Sequence, residues 1–395
     1  MTPNGLVTRA RDMSPAKRAL GAATLSIVIG AIPVFLLGAL AVFIRDDLEF
    51  SELRLGLLAS AYYAASAVAS IPGGRLAERV GGRRAAGIGA AISGSAMFGV
   101  AVAARSWGSL LACMVVAGIG NGIALPASNL LLARGVPHRQ QGVAFGIKQS
   151  AGPIATLFAG ASVPAIGLTI GWRWAFVIVG LASLPLVIAG RSGRTKRRRR
   201  PEAVGSVRVG PLIVLALGAA GAVIGGSSLA AFYVESSVAA GLSAGVSGAL
   251  LATGSVLGIS SRIGWGWVAG RWHGSQFPLV GALLVVGSLG FLVLGKVSTA
   301  PGIGLVTVVV FATGWGWPAV FNLAIVLRSP LAPAFATGIA ATGLYSGGIV
   351  GPVVFGAIVE TSGYSAAWNV VAACVFVGGV LIYLGGRSLE RAQSL

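Results

Sequence analysis

Negative charge is scarce in this chain: 10 Asp and Glu stand against 29 Lys and Arg in 395 residues, and charged residues make up only 10%. A soluble domain carries about a quarter, so an ordinary water-soluble fold is excluded. Cysteine is nearly absent. Cys113 and Cys374 both lie inside apolar runs, where they read as small packing residues, and no disulfide framework follows. The two histidines, His138 and His273, fall between apolar runs, and no acid sits in the middle of one. Acid–base or metal chemistry at membrane depth therefore has no residues to use. No Gly-x-x-x-x-Gly-Lys-Ser/Thr phosphate loop occurs either. No catalytic residue, metal ligand or cofactor is expected, and an enzyme is disfavoured.

What the chain does have is apolar length. Hydrophobic residues make up 55% of it, with 61 glycines. Runs of about 20 apolar residues, enough to cross a bilayer, predict twelve spans near 19–43, 53–73, 85–104, 108–132, 142–168, 172–190, 210–234, 245–268, 278–295, 302–327, 336–359 and 367–385. The class is an all-α membrane protein. Arg9, Arg11, Lys17 and Arg18 lead straight into the first run without a short cleavable core, so that run reads as a retained span. The net charge of +19 is gathered in short clusters between spans, as topology signals are, and nucleic acid is not an expected partner.

The positive charges fall on one side. Of the 29, 22 lie at the termini and in the loops on their side, against 5 in the opposite loops. The positive-inside rule puts both termini in the cytoplasm, and the expected location is the plasma (inner) membrane. The run Arg191 to Arg200 splits the spans six and six, giving bundles at 1–190 and 210–395 with a basic linker at 191–209. The linker is expected to touch anionic headgroups. A shift of about 192 residues superposes Gly74 on Gly266, Pro126-Ala127 on Pro318-Ala319, Gly146-Ile147 on Gly338-Ile339, and Thr169 and Gly171 on Thr361 and Gly363. Such an internal repeat predicts two parallel halves with a path between them.

Between spans 2 and 3 the chain reads Gly-Arg-Leu-Ala-Glu-Arg-Val-Gly-Gly-Arg-Arg, from Gly74 to Arg84. Four arginines cannot enter a bilayer core, so a short, tight loop at the membrane surface is expected, with Gly74 and Gly81 permitting the turn and a close helix approach. This stretch resembles the signature loop of major facilitator superfamily transporters. Gly74, Leu76, Ala77, Arg79, Gly81, Arg83 and Arg84 match, and Glu78 replaces the usual aspartate. The resemblance covers nearly the whole chain. It implies twelve helices as two six-helix bundles around a central cavity, secondary transport by alternating access, and a monomer. It also implies that Glu78 and its neighbouring arginines latch the cytoplasmic side. The second copy, Gly266 to Arg271, has Gly270 where the acid belongs, and Met114 stands where many proton-coupled exporters of the family carry an arginine before Gly118-Ile119-Gly120.

Lys148 and Arg262 are the two cations within spans, each about 10 Å deep at a rise of 1.5 Å per residue. A charge there is costly and points to function. The resemblance sets helices 5 and 8 face to face, which would bring both cations towards one anion. Arg262-x-x-x-Gly266 running to Arg271 is similar to the eighth helix of monocarboxylate and oxalate/formate transporters, whose arginine binds the substrate carboxylate. Other roles stay open: Lys148 can snorkel to the headgroups, and Arg262 can pack against backbone carbonyls. Gln149, Asn121, Asn322, Tyr62 and Tyr345 are further candidates for contact with substrate. The expected substrate is a small organic anion such as a monocarboxylate, the alternatives being efflux of hydrophobic drugs or a non-transporting sensor on the same fold.

Overall fold

The computed structural model describes residues 14–137, 144, 146–191, 209–271, 274–329 and 333–393. Arg9, Arg11, His138, Arg139, His273 and linker residues 192–208 lie outside the described residues.

Helix α1 (Pro15–Ala39) starts on the Ser14 cap with proline in its first turn, and a short helix, Ala41–Leu48, follows it. α2 (Glu52–Val80) is capped by Ser51, whose hydroxyl accepts from the Arg54 N–H, with Glu52 in the first turn where the helix dipole favours an acid. α3 is Gly82–Ala103, and α4 (Trp107–Gly135) opens on a Ser106–Ser109 capping box. α5 (Gly146–Gly167) ends in a π-helical turn containing Pro164, and α6 is Arg173–Arg191. α7 (Val209–Ala239), α8 (Ala244–Arg271) and α9 (Phe277–Leu294) follow. α10 (Ala300–Leu327) passes through a π-helical turn at Val310–Gly314 and restarts at Pro318. Residues 333–393 form one helical stretch broken only at Gly363, where φ of 79° divides α11 (333–362) from α12 (364–393). Among the described residues, eleven stretches are long and apolar enough to cross a membrane, and the last holds two spans. The twelve expected spans are therefore all present.

The repeat is visible in detail. Thr169 donates its hydroxyl hydrogen to the Ala165 and Ile166 carbonyls, and Thr361 does the same to Ala357 and Ile358, with every position displaced by 192. The glycine two residues further on takes positive φ in both copies, 97° at Gly171 and 79° at Gly363. Each turn thus ends a helix by the same device.

The arginine-rich stretch is not a loop. α2 runs helically through Gly74 to Val80, and Gly81 alone, at φ 90°, joins it to α3. Leu, Ala, Glu and Arg are good helix formers and no proline follows Pro72, so the helix extends beyond the apolar run. Only glycine accepts that φ without strain. Close approach is made by Gly73, where a Cβ would sit 2.9 Å from the Gly122 carbonyl, whereas at Gly74 it would meet only Pro126 at 3.8 Å. Gly118-x-Gly120 has a packing role as well, pressing α4 against the Tyr62 carbonyl and Ser93.

Most of the contact between the first six helices and the last six runs through α1 with α7, α2 with α11, and α5 with α8. Each contact runs through glycine. A Cβ on Gly38 would lie 1.9 Å from the Ala230 oxygen, and one on Gly56 2.2 Å from that of Pro352. On Gly356 it would meet the Glu52 oxygen at 2.5 Å, and on Gly160 the Ala252 nitrogen at 2.6 Å. All four lie on the side of the Arg45 loop. Towards the terminal face, a Cβ on Gly146, Gly264, Gly266, Gly270 or Gly338 meets nothing within 4 Å. Among the described residues, these close glycine contacts between the halves lie on the face of the Arg45 loop, and the five glycines towards the chain ends have open space instead.

Candidate functional site

Arg262, on α8, is 8% exposed. Its Nε and Nη2 donate to the Trp315 carbonyl at 3.2 and 3.1 Å, Nη1 donates to the Gln149 carbonyl, and the guanidinium carbon lies 5.0 Å from the Trp315 ring centre. The local sequences explain why two carbonyls are free. Trp315 stands where α10 breaks, between the π-helical turn and Pro318. Gln149 stands four residues before Pro153, which has no N–H to give it. In a membrane such groups need another donor, and Arg262 supplies it. Among the described residues no carboxylate lies within ion-pair distance of Arg262, so neutral oxygens hold a full charge.

Lys148 is 5% exposed, and its Nζ donates to Asn129 Oδ1 on α4. It is thus directed into the first half, while the carbonyl of its neighbour Gln149 reaches Arg262. Helices 5 and 8 do face each other as expected, but the group of α5 that meets Arg262 is the Gln149 backbone carbonyl and not Lys148. Of the other candidates, Tyr62 is 1% exposed and donates to the Gly30 carbonyl at 2.6 Å. Asn121 donates to Ser66 Oγ at 3.1 Å, and Asn322 to the Pro318 carbonyl at 2.8 Å. In this conformation Tyr62 and Asn121 use these hydrogen bonds to tie α1, α2 and α4 together. Tyr345 differs, since its hydroxyl is buried without a hydrogen-bond partner among the described residues. Phe35 of α1 packs edge-on against Trp315, with ring centres 5.9 Å apart.

A second charged cluster was not legible in the sequence. Arg45 forms ion pairs at 2.9 Å with Glu52 in the first half and Glu235 in the second, and donates to the Phe50 carbonyl. Tyr364 donates to the other oxygen of Glu235, and the Leu53 N–H to Glu360. Burial works against the Arg45 charge, but the Glu235 and Glu52 carboxylates outweigh it and hold the guanidinium above its ordinary value. A depression of about 690 Å³ opens over this cluster. The acids on this side signalled topology alone, because a pair 190 residues apart leaves no local pattern. Since Glu235 is 4% exposed and bridges the halves, Glu235→Gln is expected to reduce the population closed on this face about threefold to tenfold. Labelling of single cysteines in the depression will show this as faster modification, and an unchanged rate would remove the pair from the closure.

A model described as the Major Facilitator Superfamily matches residues 22–333. The hexuronate transporter of Bacillus subtilis is 26% identical over 144 residues, which are 36% of this chain and 34% of that protein. A protein of Cupriavidus necator named as a probable sulfoacetate transporter is 31% identical over 173 residues, 42% of this chain and 38% of its own. The alignments thus span little more than a third of these relatives. The crystal structure of a bacterial homologue of the human lysosomal transporter Spinster, inward-facing and unoccupied, superposes with a TM-score of 0.76 at 16% identity, covering 95% of this chain and 98% of that one. This likeness concerns the fold.

Proposed function

Because the chain belongs to the Major Facilitator Superfamily, a family of multi-pass membrane transporters and not of enzymes, we propose that it carries a small organic anion across the plasma membrane by alternating access. The observation that carries this reading is Arg262, a buried cation between the halves whose contacts are all neutral. A carboxylate offers the guanidinium two parallel charge-assisted bonds, roughly twice as strong as those to carbonyls. Lys148 supplies a second positive charge from the same stretch of α5. Gln149, Asn121, Asn322, Tyr62 and Tyr345 are the further residues proposed to meet substrate, with the Tyr345 hydroxyl, buried without a hydrogen-bond partner among the described residues, available as a donor. The names of the hexuronate and sulfoacetate relatives support an anion.

The positive-inside count supports cytoplasmic termini, so the present conformation faces inward. Residues 1–190 and 210–395 are the two moving bundles and 191–209 the linker, with the monomer as working unit. Gly74, Glu78, Arg79, Gly81, Arg83 and Arg84 are proposed to latch the halves on the cytoplasmic side in the opposite conformation. A bound anion favours closure there by giving Arg262 charge-assisted bonds stronger than those to carbonyls.

The reading is tested by a thermal-shift screen of the purified protein against glucuronate, sulfoacetate, oxalate and lactate, with cationic dyes for comparison. One of the anions is expected to stabilise by about 2.7 kcal/mol at 100 times its dissociation constant. A response to the dyes alone, with no competition by any anion, would replace this reading by drug efflux.

A further inference from the structure

Pro153 imposes a defect on α5. An α-helical carbonyl is taken by the N–H four residues on, and for Gln149 that residue is Pro153, which has none. The helix closes around the gap: Ser150 N–H reaches the Ile147 carbonyl and Ile154 N–H the Ser150 carbonyl, both at 3.0 Å. The Gln149 oxygen is left over, and Arg262 takes it from the other half of the molecule. The guanidinium comes close over this turn, with Nη1 3.6 Å from where a Cβ on Gly152 would stand, an ordinary van der Waals distance. The Trp315 carbonyl holds the same guanidinium from α10. Arg262 therefore clips α5 to α8 and α10 through one oxygen of each half.

We propose that Pro153 is a positioning residue for anion binding: it frees the Gln149 carbonyl to serve as a resident neutral ligand of Arg262, which a carboxylate must displace. This rests on Arg262 as the anion site. The arrangement separates two tasks. The carbonyl keeps the guanidinium in place and the halves joined while the site is empty, yet it is weak enough for a charged oxygen to replace it. An acid in its position would form an ion pair that substrate could displace only with difficulty. A neutral oxygen gains nothing over the carbonyl and a cation is repelled by the guanidinium, so selection for negative charge is built into the exchange. Once displaced, the Gln149 oxygen loses its donor and the clip between α5 and α8 opens, which couples loading to movement of the halves.

The test uses Pro153→Ala and Pro153→Gly, each of which returns an N–H to the Gln149 oxygen. Pro164→Ala is the control, because the carbonyl four residues before Pro164 belongs to Gly160 and lies against Gly248, away from Arg262. Oxalate, lactate and glucuronate serve as probes in calorimetry, and spin labels near the terminal-face ends of α5 and α8 report their separation. Both Pro153 variants are expected to bind the responsive anion about threefold to tenfold more tightly, because the competing carbonyl is gone, and to broaden the α5–α8 distance distribution; Pro164→Ala should do neither. Unchanged affinity and unchanged distances in the Pro153 variants would overturn the inference while leaving Arg262 as the anion site. If no probe binds the parent, the Arg262 reading fails, and the distances alone decide the clip: the parental distribution in both Pro153 variants overturns it.

Discussion

Arg262→Lys loses about 10- to 100-fold in affinity for the transported anion, and Arg262→Ala more than about 100-fold. Lysine keeps the charge but offers a point donor on a flexible stem, so one of the two parallel bonds to a carboxylate disappears. A charge-assisted bond contributes about 1.5–3 kcal/mol, which sets the tenfold to hundredfold range. Alanine removes both bonds and leaves the Gln149 and Trp315 carbonyls without the donor that satisfies them here. Titration calorimetry on folded, monodisperse protein measures the loss, and Lys148→Arg should change affinity less than Arg262→Lys. Parental affinity in Arg262→Ala for every carboxylate tested would move the site elsewhere in the molecule.

Gly38→Ala is expected to depopulate the state described here about 10- to 100-fold, and transport in liposomes should fall with it. A single methyl at Gly38 would stand 1.9 Å from the Ala230 oxygen, and that neighbour is backbone, which has no rotamer to yield. Overpacking of this kind costs about 1–3 kcal/mol, and the cost falls only on the conformation in which α1 meets α7. Gly21→Ala on the same helix has open space around its new methyl and should transport normally. Cysteine accessibility in the depression over Arg45 is the direct measure. Slow labelling in Gly38→Ala, as in the parent, would mean that the seam adjusts to the methyl and that closure does not depend on it.

The sequence carried the fold because each span declares itself locally, through length, hydropathy and the arginines at its ends. The 192-residue repeat was legible for a similar reason, and the paired threonine and glycine turns show what it encodes. Lys148 and Arg262 stood out because charge within a span is rare. Their partners did not, since a backbone carbonyl freed by proline has no letter of its own: Gln149 was marked by its side chain, yet its main chain makes the contact. The run from Gly74 to Val80 reads as a loop in the sequence, yet it is helical, because arginine signals an aqueous surface and says nothing about whether the helix continues into it. The Arg45, Glu52 and Glu235 cluster joins residues that are neighbours only once the halves have met.

The seam of Gly38, Gly56, Gly160 and Gly356 also bears on how abruptly the molecule can change shape. Interlocked side chains yield gradually, rotamer by rotamer, and leave partly separated arrangements populated along the way. Backbone pressed against backbone at glycine has no such reserve, because dispersion attraction decays within about an ångström of separation and no longer group reaches across the gap. Contact along α1–α7, α2–α11 and α5–α8 is then kept or lost as a unit, which makes the closed face a snap fastener with two settings. Half-open forms, through which ions could leak, gain little from such a seam and stay sparsely populated.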